Sequence, residues 1–131
     1  RANKEILSIS MLETKESVDN LYDILGNYSL DMIYVGPYDL SISYGFKPDK
    51  VFVEKKMLNN YKQILKIAKK FSKKTAIHCS GADTASFFLK MGFDMVTIST
   101  DLNLLNKALV EELSKIRWVI NFSYMYHSYF L

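Results

Sequence analysis

The chain has 131 residues, 17 basic against 14 acidic for a net charge of +3, and is 49% hydrophobic and 14% aromatic with 5 Gly and 2 Pro. These figures exclude a collagen-like, disordered or disulfide-scaffold chain. No apolar run approaches the roughly 18 residues that span a bilayer, so one domain without a membrane segment, or part of one, is expected.

Cys79 is the one cysteine. It cannot form an internal disulfide, which favours a reducing, cytoplasmic setting. The lysines are spread along helices without interleaved aromatics to stack on bases, so no nucleic-acid partner is expected. Arg1 opens the chain and a strand-like run begins almost at once at Ile6. A natural start usually carries a short disordered lead, so the chain reads as cut from a longer parent.

Short apolar runs alternate with amphipathic stretches. The first run, Ile6 to Leu12, has strand length and β-branched content. Val18, Leu21, Tyr22 and Leu25 then recur at helical spacing, with Gly26 placed as a C-terminal glycine. A second run, Met32 to Val35, stops at Gly36-Pro37. The long helix that follows is predicted to turn Val51, Leu58, Tyr61, Leu65, Ala68 and Phe71 inward, with Asn60 and a row of lysines outward. The third run is Thr75 to Cys79, with a helix to Met91-Gly92. The fourth is Met95 to Ile98, with a helix from Leu102 to Ile116 in which Lys107, Glu111 and Lys115 are spaced four apart. Four βα units predict a parallel sheet with helical crossovers. They suit either a small open α/β sheet or half of an eight-stranded barrel, which takes about 250 residues in full.

In parallel α/β folds the chemistry gathers past the strand ends. Glu13 follows the first run, Asp39 the second, His78 and Cys79 close the third, and Ser99 to Asp101 follow the fourth. If the first two strands are neighbours, Glu13 and Asp39 share one edge and suit a hard divalent ion. From spacing alone a helix N-cap is the stronger reading of either acid. Gly36 allows close backbone approach and Pro37 fixes chain direction, so the N–H groups of Tyr38 and Asp39 suit an anion, although a plain turn fits equally. His78 and Cys79 point to opposite sides of a strand and cannot cooperate; packing is the simpler role of each.

Met11-Leu12-Glu13-Thr14-Lys15-Glu16 through Leu21, followed by Gly36-Pro37-Tyr38-Asp39-Leu40-Ser41, resembles the pyruvate-type class II aldolases of the HpcH/HpaI and citrate lyase-like group. That group includes 4-hydroxy-2-oxoheptanedioate and 2-dehydro-3-deoxyglucarate aldolases. Ile77 to Ser80, Met91 to Asp94 and Ser99 to Leu102 fit the same pattern. The resemblance implies a partial (β/α)8 TIM barrel over 1–117, carrying strands five to eight. It implies Glu13 and Asp39 as ligands of Mg²⁺, Mn²⁺ or Co²⁺, and Gly36, Pro37, Tyr38 and Asp39 as the site of a small-molecule 2-oxo acid. The implied reaction is cleavage of a 4-hydroxy-2-oxo acid to pyruvate and an aldehyde, by a homo-oligomer when complete.

The base and arginine that the resemblance calls for have no counterpart in this chain, so the isolated chain is expected to be inactive and catalytic residues are assigned to the missing half. The aromatic-rich tail 118–131 matches nothing in the pattern. An acyl-CoA lyase of the citrate lyase type and a non-catalytic half-barrel module are the alternatives.

Overall fold

The computed structural model describes residues 2–48, 51–52 and 54–116. The tail 118–131 lies outside the described residues. The chain divides into two compact units, Arg1–Ile98 and Ser99–Leu131.

The first unit runs α1 (Ala2–Glu5), β1 (Ile9–Leu12), α2 (Lys15–Asp19), α3 (Leu21–Asn27), β2 (Met32–Val35), α4 (Pro37–Ser43), α5 (Lys55–Lys70), β3 (Lys74–Cys79), α6 (Ala82–Met91) and β4 (Met95–Ile98). The strands form one sheet in the order β1-β2-β3-β4, every pair parallel. Met11, Tyr34, Ala76 and Met95 lie in one row across it. Strand order therefore follows chain order, unlike the reversed order of a doubly wound sheet.

Alternation along the strands separates two faces. Leu12, Ile33, Val35, Ile77 and Cys79 point to one face, where they pack with Leu21, Leu25, Met57, Tyr61, Ile64, Ala68 and Phe88. Phe88 is the aromatic hub there, edge-on to Tyr61 at 5.2 Å and to Phe93 at 5.6 Å. On the opposite face Ile9 is 46% exposed, Met11 55% and Met95 38%.

Three local expectations change. β1 begins at Ile9, not Ile6. Ile6 and Leu7 are exposed, and the Ser8 N–H donates to Asp31 Oδ2 at 2.7 Å, so pairing starts where β2 starts. Helix α5 begins at Lys55 and turns Met57, Asn60, Tyr61, Ile64 and Ala68 inward, leaving Leu58 and Leu65 at the margin. Val51 is buried, but from the turn before the helix. Gly26 lies inside the last turn of α3 rather than after it, and a Cβ there would lie 3.6 Å from the Phe71 ring. Gly92, by contrast, ends α6 as expected, in the left-handed region at φ 116°.

In the second unit, α7 (Asp101–Ser114) is capped by Thr100, whose hydroxyl accepts from the Asn103 N–H. Lys115 pairs with Glu111 at 3.8 Å across one turn. Among the described residues no helix is long and apolar enough to cross a membrane.

Candidate metal and substrate site

Glu13 is the first residue past β1, and Gly36 the first past β2. The Gly36 N–H donates to the Leu12 carbonyl at 3.1 Å, which carries the β1–β2 ladder one residue beyond the strands and sets Glu13 beside Gly36. A Cβ on Gly36 would lie 3.2 Å from Glu13 Cβ, 3.3 Å from its Oε2 and 3.6 Å from Met11 Sδ. Glycine thus leaves the carboxylate room over the end of the neighbouring strand. The helix cap for which Glu13 competed is Thr14: its hydroxyl accepts from the Ser17 N–H at 3.1 Å while the Ser17 hydroxyl accepts from the Thr14 N–H at 3.2 Å. Glu13 is left out of the helix.

Asp39 lies in the first turn of α4, whose N-cap is Gly36 and whose first residue is Pro37. It is not the cap, although a carboxylate in this turn complements the helix dipole. Gly36 offers no side-chain cap, and proline has no N–H, so the first donors of the helix are those of Tyr38 and Asp39. The loop carrying Glu13 is tied to α4 at its far end, where the Lys15 N–H donates to Ser43 Oγ at 2.8 Å. Adjacent parallel strands therefore bring Glu13, Gly36, Pro37, Tyr38 and Asp39 to one sheet edge.

Among the described residues neither Glu13 nor Asp39 enters an ion pair, and no group of three or more His, Cys, Asp and Glu could hold a metal ion. Glu13 and Asp39 are the carboxylates at this edge, hard oxygens of the kind Mg²⁺ takes one or two of while keeping several waters. The bare Cα of Gly36 leaves room for the Glu13 carboxylate, so the chemistry of these side chains is compatible with a hydrated divalent ion.

His78 and Cys79 part as alternation requires. Cys79 is fully buried on the helix-covered face, and burial pushes its thiol up. His78 is half-buried on the other face. Its Nδ1 lies 3.0 Å from Thr97 Oγ1, which lies 2.6 Å from the Tyr34 hydroxyl. The Tyr38 ring stands 6.1 Å from the imidazole and packs edge-on against Phe52 at 5.9 Å. Tyr34 and Thr97 were not singled out in the sequence. The available signal was period-two alternation, which puts Tyr34, His78 and Thr97 on one face once the register is known.

The family described as HpcH/HpaI aldolase/citrate lyase matches residues 1–108. The chain is 29% identical over 108 residues to a hydroxypyruvate/pyruvate aldolase of Rhizorhabdus wittichii, covering 82% of this chain and 43% of that protein. It is 26% identical over 108 residues to a 4-hydroxy-2-oxo-heptane-1,7-dioate aldolase of Escherichia coli, covering 82% and 40%. A solved HpcH/HpaI aldolase/citrate lyase family protein from Burkholderia cenocepacia superposes with a TM-score of 0.81 at 24% identity, covering 89% of this chain and 45% of that one. The chain spans less than half the length of the curated relatives it matches.

Proposed function

Because the chain belongs to the HpcH/HpaI aldolase/citrate lyase family, we propose that it forms the C-terminal half of a (β/α)8 barrel. The parent enzyme is a metal-dependent carbon–carbon lyase that cleaves a 4-hydroxy-2-oxo acid to pyruvate and an aldehyde. Support for the half-barrel comes from strand order that follows chain order, from α2–α6 sharing one core with one face of the sheet, and from exposed Ile9, Met11 and Met95 on the other face, where a barrel would have its interior. The missing four strands would cover that face and pair with both sheet edges.

The observation that carries the reading is the seat of Glu13 over Gly36, with Asp39 in the helix turn that follows. In this reading Glu13 and Asp39 hold Mg²⁺ or a similar ion. When bound, that ion supplies Lewis-acid polarisation of the 2-oxo group as charge develops on its oxygen. The N–H groups of Tyr38 and Asp39 receive the carboxylate of the 2-oxo acid, fixed donors that need no reorganisation during the reaction. Pro37 holds the chain direction that aims them. The base that takes the 4-hydroxyl proton and the arginine that steadies the developing charge belong to the half outside this chain, so the isolated chain binds and orients without turning over. The complete enzyme is proposed to be a homo-oligomer acting on a small 2-oxo acid.

Titration of Mn²⁺ into the protein, followed by electron paramagnetic resonance, tests the site. The Glu13→Gln and Asp39→Asn variants are expected to bind at least tenfold more weakly, about 1.4 kcal/mol or more. Equal affinity in both variants removes these residues from the site.

A further inference from the structure

We infer that His78 is a ligand-contacting residue of the same site, presenting its Nε2–H to an oxygen of the bound 2-oxo acid, with Thr97 and Tyr34 as the positioning residues that set its tautomer. This rests on the reading of Glu13 and Asp39 as the metal site.

The placement comes from the sheet register. His78 pairs with Thr97, and Val35 pairs with Ile77, so Gly36 is the neighbour of His78 as it is of Glu13. Glu13, Gly36, His78 and Thr97 thus form one row at the C-terminal edge of the sheet, on the face opposite Leu12, Val35 and Ile77. Strands lie about 4.8 Å apart, which sets the backbones of Glu13 and His78 roughly 10 Å apart. The residue between them has no side chain. The Glu13 carboxylate and the Met11 sulfur stand over that bare position, so the inference sets a small 2-oxo acid between the Glu13 carboxylate and the His78 imidazole. The Tyr38 ring lies 6.1 Å from the imidazole.

The inference includes one assignment of the protons in this chain of contacts. Thr97 has one hydroxyl proton to give and two neighbours at bonding distance, Tyr34 at 2.6 Å and His78 Nδ1 at 3.0 Å. A phenol is far more acidic than an aliphatic alcohol, so the short bond is assigned from Tyr34 O–H to Thr97 Oγ1, and the inference gives the Thr97 proton to Nδ1. The neutral ring so held accepts at Nδ1 and carries its hydrogen on Nε2, which has no partner among the described residues. That nitrogen is not one of the buried atoms left without a partner, so it stands open to solvent and to an oxygen of the ligand.

Long-range ¹H–¹⁵N spectra of the full 131-residue chain, with Mg²⁺ and with pyruvate as the probe, test this. The wild-type His78 ring is expected as the Nε2–H tautomer, and its Nε2 signal is expected to move when pyruvate is added. Thr97→Val, which keeps the shape and removes the hydroxyl, is expected to shift the ring towards the Nδ1–H tautomer. His78→Phe is expected to weaken pyruvate about tenfold, the worth of one hydrogen bond, with Mn²⁺ affinity within about twofold of wild type by the same standard. His78→Gln, which restores an N–H donor, is expected to recover most of the loss. Unchanged pyruvate affinity in His78→Phe, or an Nδ1–H ring in the wild type, overturns the inference while the Mn²⁺ titration leaves the metal site standing. Failure of the wild type to bind Mn²⁺ overturns both.

Discussion

The hydroxyl of Tyr61, inside helix α5, donates to the carbonyl of Val51 at 3.1 Å, and both residues are fully buried. This bond ties the long helix to the turn that precedes it. Removing the hydroxyl with Tyr61→Phe leaves a buried carbonyl without its donor, and about 1–2 kcal/mol of stability is expected to be lost in urea unfolding.

Burial also holds the Tyr61 phenol well above the usual range. A group whose folded pKa is raised contributes its stability below the unfolded value, near 10, and loses that contribution as pH rises further. The wild type is therefore expected to lose stability above about pH 10, followed by circular dichroism. Tyr61→Phe is expected to show a shallower decline, and an identical slope in the two proteins would count against this origin.

Asp94 anchors the start of β3. Lys74 Nζ donates to its Oδ1 at 2.7 Å, and the Thr75 N–H donates to its Oδ2 at 2.9 Å. The hydrogen bond from Lys74 is the main cause of a lowered Asp94 pKa, with Thr75 adding to it and burial opposing it. Lys74 is well exposed, so Lys74→Ala is expected to cost no more than about 0.5 kcal/mol. Asp94→Ala strands the N–H of the buried Thr75 and is expected to cost about 1–2 kcal/mol. Because the folded pKa is depressed, this contribution is present above the unfolded value, about 3.9, and fades as pH falls through the folded one. Urea curves of wild type and Asp94→Asn are expected to separate at pH 7 and to converge in acid.

Gly36→Ala separates space from backbone strain. At φ −91° and ψ 90°, Gly36 lies in a region open to any residue, so only the contact with Glu13 resists the new methyl. A shift of a few tenths of an ångström in Glu13 is expected, with Mn²⁺ affinity down about tenfold and a stability loss near 1 kcal/mol from an alanine at the cap. An unchanged affinity would mean that the carboxylate does not need its seat over the glycine.

The sheet face opposite the core carries Ile9, Met11 and Met95 in the open, and among the described residues β1 and β4 each have one neighbour in the sheet. Unpaired edges beside exposed apolar side chains promote association. The chain alone is expected to sediment as oligomers, and an Ile9→Lys, Met95→Lys double variant is expected to shift towards monomer. A monodisperse wild-type monomer would refute this.

Strands β2 and β4 were legible to the residue. Each is a four-residue apolar run preceded by an aspartate and followed by a small residue, Asp31 and Gly36 for one, Asp94 and Ser99 for the other. β1 was over-read because Ile6 and Leu7 are apolar yet exposed, and nothing local says that pairing waits for Met32. The α5 face was rotated by about one residue. Leu58, Tyr61, Leu65 and Ala68 repeat at helical spacing as well as Met57, Tyr61, Ile64 and Ala68 do, and only the neighbouring strands choose between them. At the site, Glu13 and Gly36 could be found because each is the first residue past an apolar run. The contact between Tyr34 and Thr97 could not, since it joins side chains 63 positions apart and depends on a register that no single segment encodes.

Cys79 is the only thiol of the chain, and it is shut away behind β3 under the helices. Its sealed sulfur doubles as a natural clock. A maleimide reagent reaches it only when the helical layer lifts from the sheet, so the rate of alkylation reads the frequency of that breathing without any engineered label. Supplying the other half of the barrel should slow the reaction to the extent that it locks the layers together.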